Sequence, residues 1–175
     1  MRILSALTVA FLALAPGGVS GDDAPVAWEV VKVGSGEQRV GVFSVADAAC
    51  AYNFMADTSL LERSLKHLER VDLHEDRGSW QDATYHERFF LVGLVQSRYH
   101  RTLKASERIE WKLVHGRQKR HDGIWAVTPT PEGATVRFDN VIEAKRRIHN
   151  GLLSRIQKRT MSDIATSAIT VCGPA

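Results

Sequence analysis

Apolar and polar residues divide this chain into stretches of different texture. Trp28–Val33 is a short apolar run ended by Gly34-Ser35-Gly36, and Gln38–Val45 is another. Two β-leaning runs about a glycine turn predict a hairpin. Ala46–Met55 is rich in good helix formers. Asp57-Thr58 or Ser59 can cap a second short helix over Leu60–Leu68, with Leu61, Leu65 and Leu68 on one stripe.

From Val71 the texture becomes extended: Val71–Glu75, Ser79–Phe90, Leu94–Ala105, Glu107–His115, Gly123–Thr130 and Ala134–Ala144. Turn signals separate them, among them Asp76-Arg77-Gly78, Gly93, Gly116 and Pro129-Thr130-Pro131-Glu132-Gly133. Ile109, Trp111 and Leu113 alternate with Arg108, Glu110 and Lys112, and Val136, Phe138, Asn140 and Ile142 with Arg137 and Asp139. A period of two with one apolar face predicts antiparallel strands covered on one side. Lys145–Val171 holds no proline, and its apolar positions Ile148, Leu152, Ile156, Met161, Ile164 and Ala168 recur mostly at three or four. That spacing predicts one long helix, weakened at Gly151 and stopped by Gly173-Pro174. A sheet with one apolar face needs a cover, and the C-terminal helix is the element long enough to supply it.

The first residues change the setting. Met1-Arg2 followed by a mostly apolar run from Ile3 to Ala15 has the charged and hydrophobic regions of a secretion signal. The run is shorter than the roughly 20 apolar residues that span a bilayer. Pro16-Gly17-Gly18 breaks it, and Val19-Ser20-Gly21 supplies small residues for cleavage before Asp22. The expected organisation is a signal peptide over 1–21 and one domain over 22–175, exported to a periplasmic or extracellular space. An uncleaved N-terminal anchor is the alternative.

Export gives Cys50 and Cys172 a meaning, since an even cysteine count in an oxidising compartment suggests a disulfide. Such a bridge would close a loop through most of the chain, for which the loop-entropy estimate is roughly 4–5 kcal/mol. Two separate buried thiols are the other reading. A formal charge of +3, one less without Arg2, argues against dedicated nucleic-acid binding.

The order of elements and particular residues resemble the START-like (SRPBCC) superfamily of polyketide-cyclase-like and coenzyme-Q-binding-type domains. The resemblance lies in Val42–Ala49 with Tyr52 and Met55-Ala56-Asp57, in Ile109–Leu113, in Gly123–Pro129 and in Gly133–Phe138. It covers roughly residues 36–172. It implies an α+β helix-grip fold: a curved antiparallel sheet of six to seven strands, two short helices and a long C-terminal helix. Between sheet and helix it implies an apolar cavity for a hydrophobic ligand. It also implies that the short helices sit beneath the far end of the long one, bringing Cys50 and Cys172 into one neighbourhood.

Catalytic signatures are sparse by comparison. No pair among His67, His74, His86, His100, His115, His121 and His149 has zinc-hydrolase spacing. There is no Gly-x-Ser-x-Gly and no glycine-rich phosphate loop. The histidines read as solvated or hydrogen-bonded, with His115 and His121 flanking turns. Arg117-Gln118-Lys119-Arg120-His121 and Lys145-Arg146-Arg147 are either solvated charge or contacts to an anionic membrane surface near the cavity mouth. Tyr85, Tyr99, Trp111, Trp125 and Phe138 fall on five strands, where they either line a ligand cavity or pack a solid core. Glu87 and Arg98 are candidate polar anchors. The expected function is binding of a lipid, isoprenoid or quinone without catalysis, by a monomer needing neither metal nor cofactor. The alternative is a cyclase- or dehydratase-type enzyme using polar residues of the same cavity.

Overall fold

The computed structural model describes residues 26–33, 36–90, 92–145 and 150–175, so the stretch 1–21 expected to be a signal peptide and Arg146–His149 lie outside the described residues. A hairpin of β1 (Ala27–Val33) and β2 (Gly36–Val45) leads into two short helices, α1 (Ala48–Ala56) and α2 (Thr58–Ser64). Six strands follow: β3 (Leu68–Asp76), β4 (Trp80–Phe89), β5 (Gly93–Lys104), β6 (Arg108–His115), β7 (Gln118–Thr130) and β8 (Gly133–Ala144). Helix α3 (Asn150–Cys172) ends the fold. All strands join one antiparallel sheet in the order β1-β2-β8-β7-β6-β5-β4-β3.

Among the described residues the sheet therefore has eight strands rather than six to seven. Both strands of the N-terminal hairpin join it, because β2 pairs with β8 from Glu37↔Ile142 to Val45↔Ala134. Helix α2 is shorter than the leucine stripe suggests. Leu65 has left the helix (φ −102°, ψ 109°) and Leu68 opens β3, yet Leu61, Leu65 and Leu68 are all buried. A helical turn followed by an extended turn buries the same three side chains, so periodicity alone could not separate the two. Strand β7 begins at Gln118, well before Gly123, which converts most of the basic turn into strand.

Local chemistry explains where the helices start and stop. Asp47 caps α1 by accepting from Cys50 N at 3.0 Å. Asp57 ends α1 through its N–H to Asn53 O and caps α2 by accepting from Ser59 N and Leu60 N. At the far end Gly173 adopts φ 79°, and its carbonyl accepts from Ala46 N at 3.0 Å. Cys172 is bonded to Cys50 over a Cα–Cα distance of 5.5 Å, which ties the C-terminus of α3 to α1.

The concave face of the sheet and the stripe Met161, Ile164, Ala165 and Ala168 of α3 enclose the core. Trp125 sits at its centre with no exposed surface. Its ring packs on Phe43, Phe54 and Phe138 at centroid distances of 5.5, 6.2 and 5.5 Å, and its Nε1–H donates to Ala51 O at 3.1 Å. One indole thus fastens α1 to the sheet. Next to it Trp111 lies across Gly123, where a Cβ would come within 2.1 Å of the indole. Only a glycine lets that ring lie flat on β7 and leave space under the helix.

Candidate functional site

The α3 stripe does not fill the whole concavity. Between it, the short helices and strands β4 to β8 lies a cavity of about 140 Å³. Its wall is largely apolar, with Met55 and Leu61 from the short helices, Trp111 and Phe138 from the sheet, and Met161 and Ile164 from α3. Strand parity places these side chains, since Trp111 and Phe138 point inward with Ile109 and Val136.

Four of the five aromatic candidates line this space: Tyr85, Tyr99, Trp111 and Phe138. Trp125 does not, being packed beneath it in solid core. Tyr85 and Tyr99 meet edge to face at 5.4 Å, and Trp111 and Phe138 are 5.6 Å apart. Glu87 lines the cavity, whereas Arg98 faces outward and pairs with Asp82 at 2.7 Å. The reason is parity: Arg98 falls out of phase with Tyr99, and Arg101, which is in phase, takes the inward place.

The polar part of the wall is small and unusual. Arg101 is 2% exposed, donates to Gln81 Oε1 at 2.9 Å and to the Met55 carbonyl, and lies 6.0 Å from the Tyr85 ring centroid. His121, expected at a turn, instead sits in β7 and accepts from the Tyr99 hydroxyl at Nδ1 over 2.6 Å. Burial lowers its pKa to about 4, against smaller opposing effects of Asp122 and Asn140, so the imidazole is neutral and Tyr99 is the donor. Burial also pushes Glu87 up to about 7 and raises both tyrosines. Glu87 lies 3.7 Å from His67 Nε2, and the other nitrogen of His67 is 4.0 Å from Asp163 of α3. His67 is held below its ordinary value by burial, which outweighs Asp163.

Arg101, His121, Asn140 and Gln157 are cavity residues that the sequence reading did not assign to the site. A signal for them exists. Asn140 keeps the apolar parity of Phe138 and Ile142, and Gln157 stands four residues before Met161 on the apolar stripe of α3. A polar residue in an apolar phase is the informative exception.

A second, open groove adjoins the cavity through Phe89, Ile156 and Thr160, which line both. Lys66, Arg88, Arg155 and Arg159 border it, and Phe90 stands 99% exposed at its edge. Among the described residues no group of His, Cys, Asp or Glu is placed to hold a metal ion, and no helix is long and apolar enough to cross a membrane.

A curved sheet gripping a C-terminal helix over such a cavity agrees with the sequence profile that matches residues 45–168, that of polyketide cyclase / dehydrase and lipid transport proteins. The chain belongs to this family. Its fold is START-like. It is similar to the STAR-related lipid transfer protein from Xanthomonas axonopodis at TM-score 0.70 and 15% identity, covering 85% of this chain and 94% of that one. It is also similar to the Zhui aromatase/cyclase from Streptomyces sp. R1128 (TM-score 0.65, 12% identity, 79% and 98% covered). A START superfamily protein from Mycobacterium smegmatis gives TM-score 0.65 at 12% identity, with 74% and 92% covered. At these identities the likeness is one of fold alone. No curated protein matches the chain in sequence.

Proposed function

We propose that this protein is an exported, non-catalytic binder or carrier of a hydrophobic ligand such as a lipid, isoprenoid or quinone. The observation that carries the reading is the cavity itself: a space walled mainly by aromatic and aliphatic side chains, with a few polar groups converging on it. Tyr85, Tyr99, Trp111 and Phe138 then serve as the contact surface for the ligand. Trp125 serves binding indirectly, by holding α1 and the sheet in place. The Cys50–Cys172 bond supports export, because such bonds persist in oxidising compartments. The groove with Phe90 and four cations supports passing contact with an anionic membrane surface during uptake and delivery.

Native mass spectrometry and solvent extraction of the purified mature protein test this. An apolar molecule held at a stoichiometry near one is expected. A protein that carries none, and takes up none from a mixed lipid extract, would rule the reading out.

A second reading, a cyclase- or dehydratase-type enzyme, is favoured by one specific observation. Glu87, with its pKa near 7, and the Tyr99–His121 pair face the same cavity, so a proton acceptor and a proton donor are available near neutral pH. It is tested by turnover of polyketide-like ketone substrates by the wild type and by Glu87→Gln and Tyr99→Phe.

A further inference from the structure

The cavity beneath α3 measures about 140 Å³. A closed apolar space of about 150 Å³ holds one benzene ring, so this one takes roughly six carbons of a chain and not a whole lipid, isoprenoid or quinone. A longer molecule must run on outside it. The adjoining groove offers about 520 Å³ and shares Phe89, Ile156 and Thr160 with the cavity. All three are half-buried, so the two spaces meet at side chains of one strand and one helix.

The groove differs from the cavity in charge. Lys66 comes from the α2–β3 connection, and Arg155 and Arg159 stand four apart on α3, hence on one helix face. All three are exposed, and among the described residues none has a carboxylate within ion-pairing distance. The fourth cation, Arg88, is bonded to Glu69. Among the described residues Asp163 is the one carboxylate lining the groove, and it lies 4.0 Å from His67 Nδ1. A cleft lined by one sign of charge concentrates the opposite ion. The cavity interior offers an anion less. Arg101 already donates to Gln81 and to the Met55 carbonyl. An oxyanion set among Tyr85, Trp111 and Phe138 must also shed its water, whereas in the open groove it keeps part of it.

We infer that the ligand is a single-chain amphiphile with an anionic oxygen head, a carboxylate or a phosphate ester, bound tail inward. The end of the chain fills the cavity, and the head rests in the groove against Lys66, Arg155 and Arg159. This rests on the reading of the cavity as a hydrophobic-ligand site, and adds the charge of the ligand's polar end and the direction in which it enters.

Displacement of the fluorescent apolar probe N-phenyl-1-naphthylamine from the purified protein tests this. The competitors are decanoate, decyl phosphate, decan-1-ol and decyltrimethylammonium, each kept below its micelle-forming concentration. At low salt the better of the two anions, which names the head, is expected to act at about tenfold lower concentration than the alcohol. The cation should be the weakest, and added salt should narrow the gap. Arg155→Glu and Arg159→Glu should each erase the preference for the anion. Lys112→Glu, the same change of net charge on β6 outside the groove, should keep it. Direction is read from tryptophan emission. Trp111 lines the cavity, and among the described residues no tryptophan lines the groove. At equal saturation 10-bromodecanoate, with its heavy atom at the chain end, should therefore quench more strongly than 2-bromodecanoate. An anion no better than the alcohol, or a preference that both reversals leave intact, overturns the head assignment while leaving the cavity reading standing. Quenching by 2-bromodecanoate that equals or exceeds that by 10-bromodecanoate overturns the direction and puts the head inside, at Arg101. Failure of the probe and of every competitor to bind ends the ligand reading itself.

Discussion

The Tyr99 hydroxyl lies 2.6 Å from His121 Nδ1, although their strands, β5 and β7, are separated in the sheet by β6. The contact is possible because β6 is paired with β7 only from Arg108 to Trp111. Beyond Trp111 that ladder ends, and two side chains join strands that the backbone no longer links. Both residues of this contact line the cavity.

The titration of this wall predicts how stability depends on pH. His121 has a folded pKa of about 4 against an ordinary 6.5, so the stability it contributes is present above 6.5 and lost as pH falls through 4. His67, also lowered by burial, acts with the same sign. Glu87 acts in the opposite sense: its pKa of about 7 against 4.5 means stability is present below 4.5 and lost as pH rises through 7. Between 4.5 and 6.5 the two slopes oppose each other. Glu87→Gln should therefore steepen the rise of stability with pH and exceed the wild type by about 3 kcal/mol at pH 8, the linkage value of a shift of that size. Urea denaturation from pH 4.5 to 8 checks this; parallel profiles for the two proteins would refute it.

Trp125 and Trp111 should separate stability from binding. Trp125→Phe removes a buried ring volume and the indole's hydrogen bond to Ala51 O, which is expected to cost about 2–4 kcal/mol. Trp111 already borders open space, so Trp111→Phe should cost about 1 kcal/mol while changing apolar-probe affinity more than Trp125→Phe does. Denaturation and probe titration on the two variants decide the matter. Equal loss of stability would mean that the indole of Trp111 is core rather than wall.

Much of this arrangement was legible in the chain. The alternation of Val136, Phe138, Asn140 and Ile142 marks one face of β8 correctly, and the long apolar stripe marks α3 as the cover. What could not be read is depth. Trp125 and Trp111 both lie on the apolar face, yet one is sealed under Phe43 and Phe54 and the other opens onto the cavity. That distinction depends on where α1 and α3 rest on the sheet, which involves contacts distant in sequence. Phase also misled where a strand was assigned too short. With Gln118–Asp122 read as a turn, His121 had no face, and its meeting with Tyr99 was out of reach.

The Cys50–Cys172 bond closes a loop with a sequence separation of 122 between its ends, and it joins the two elements that bound the apolar core on one side. Loop entropy assigns such a closure about 4–5 kcal/mol, most of it exerted on the unfolded chain. Reduction, or Cys50→Ser with Cys172→Ser, should lower stability by up to that amount in urea denaturation and leave the Trp125 environment of the folded state little changed. A variant as stable as the oxidised protein would show that the α1–α3 contact is sufficient without the bond.

The membrane contact proposed for the groove beside the cavity can be tested directly. Phe90 projects from the β4–β5 connection with almost its whole surface in water. Around it stand Lys66, Arg155 and Arg159, while Arg88 is largely occupied by Glu69. An apolar tip ringed by cations suits an anionic bilayer: the ring enters the interface and the cations meet headgroups, each worth about 1 kcal/mol near the surface. Co-sedimentation with phosphatidylglycerol-containing vesicles should accordingly be strong at low salt and weaken as salt screens the cations. Phe90→Asp should abolish it. Arg155→Glu and Arg159→Glu should each reduce it by about tenfold or more, since reversal removes one attraction and adds one repulsion. Arg88→Gln should matter less, because its charge is already met by Glu69. Probe binding in the cavity should survive Phe90→Asp, since Phe90 borders the groove and not the cavity wall. Binding that is equal on phosphatidylcholine vesicles, or indifferent to both Phe90 and salt, would show that this surface is not a membrane contact.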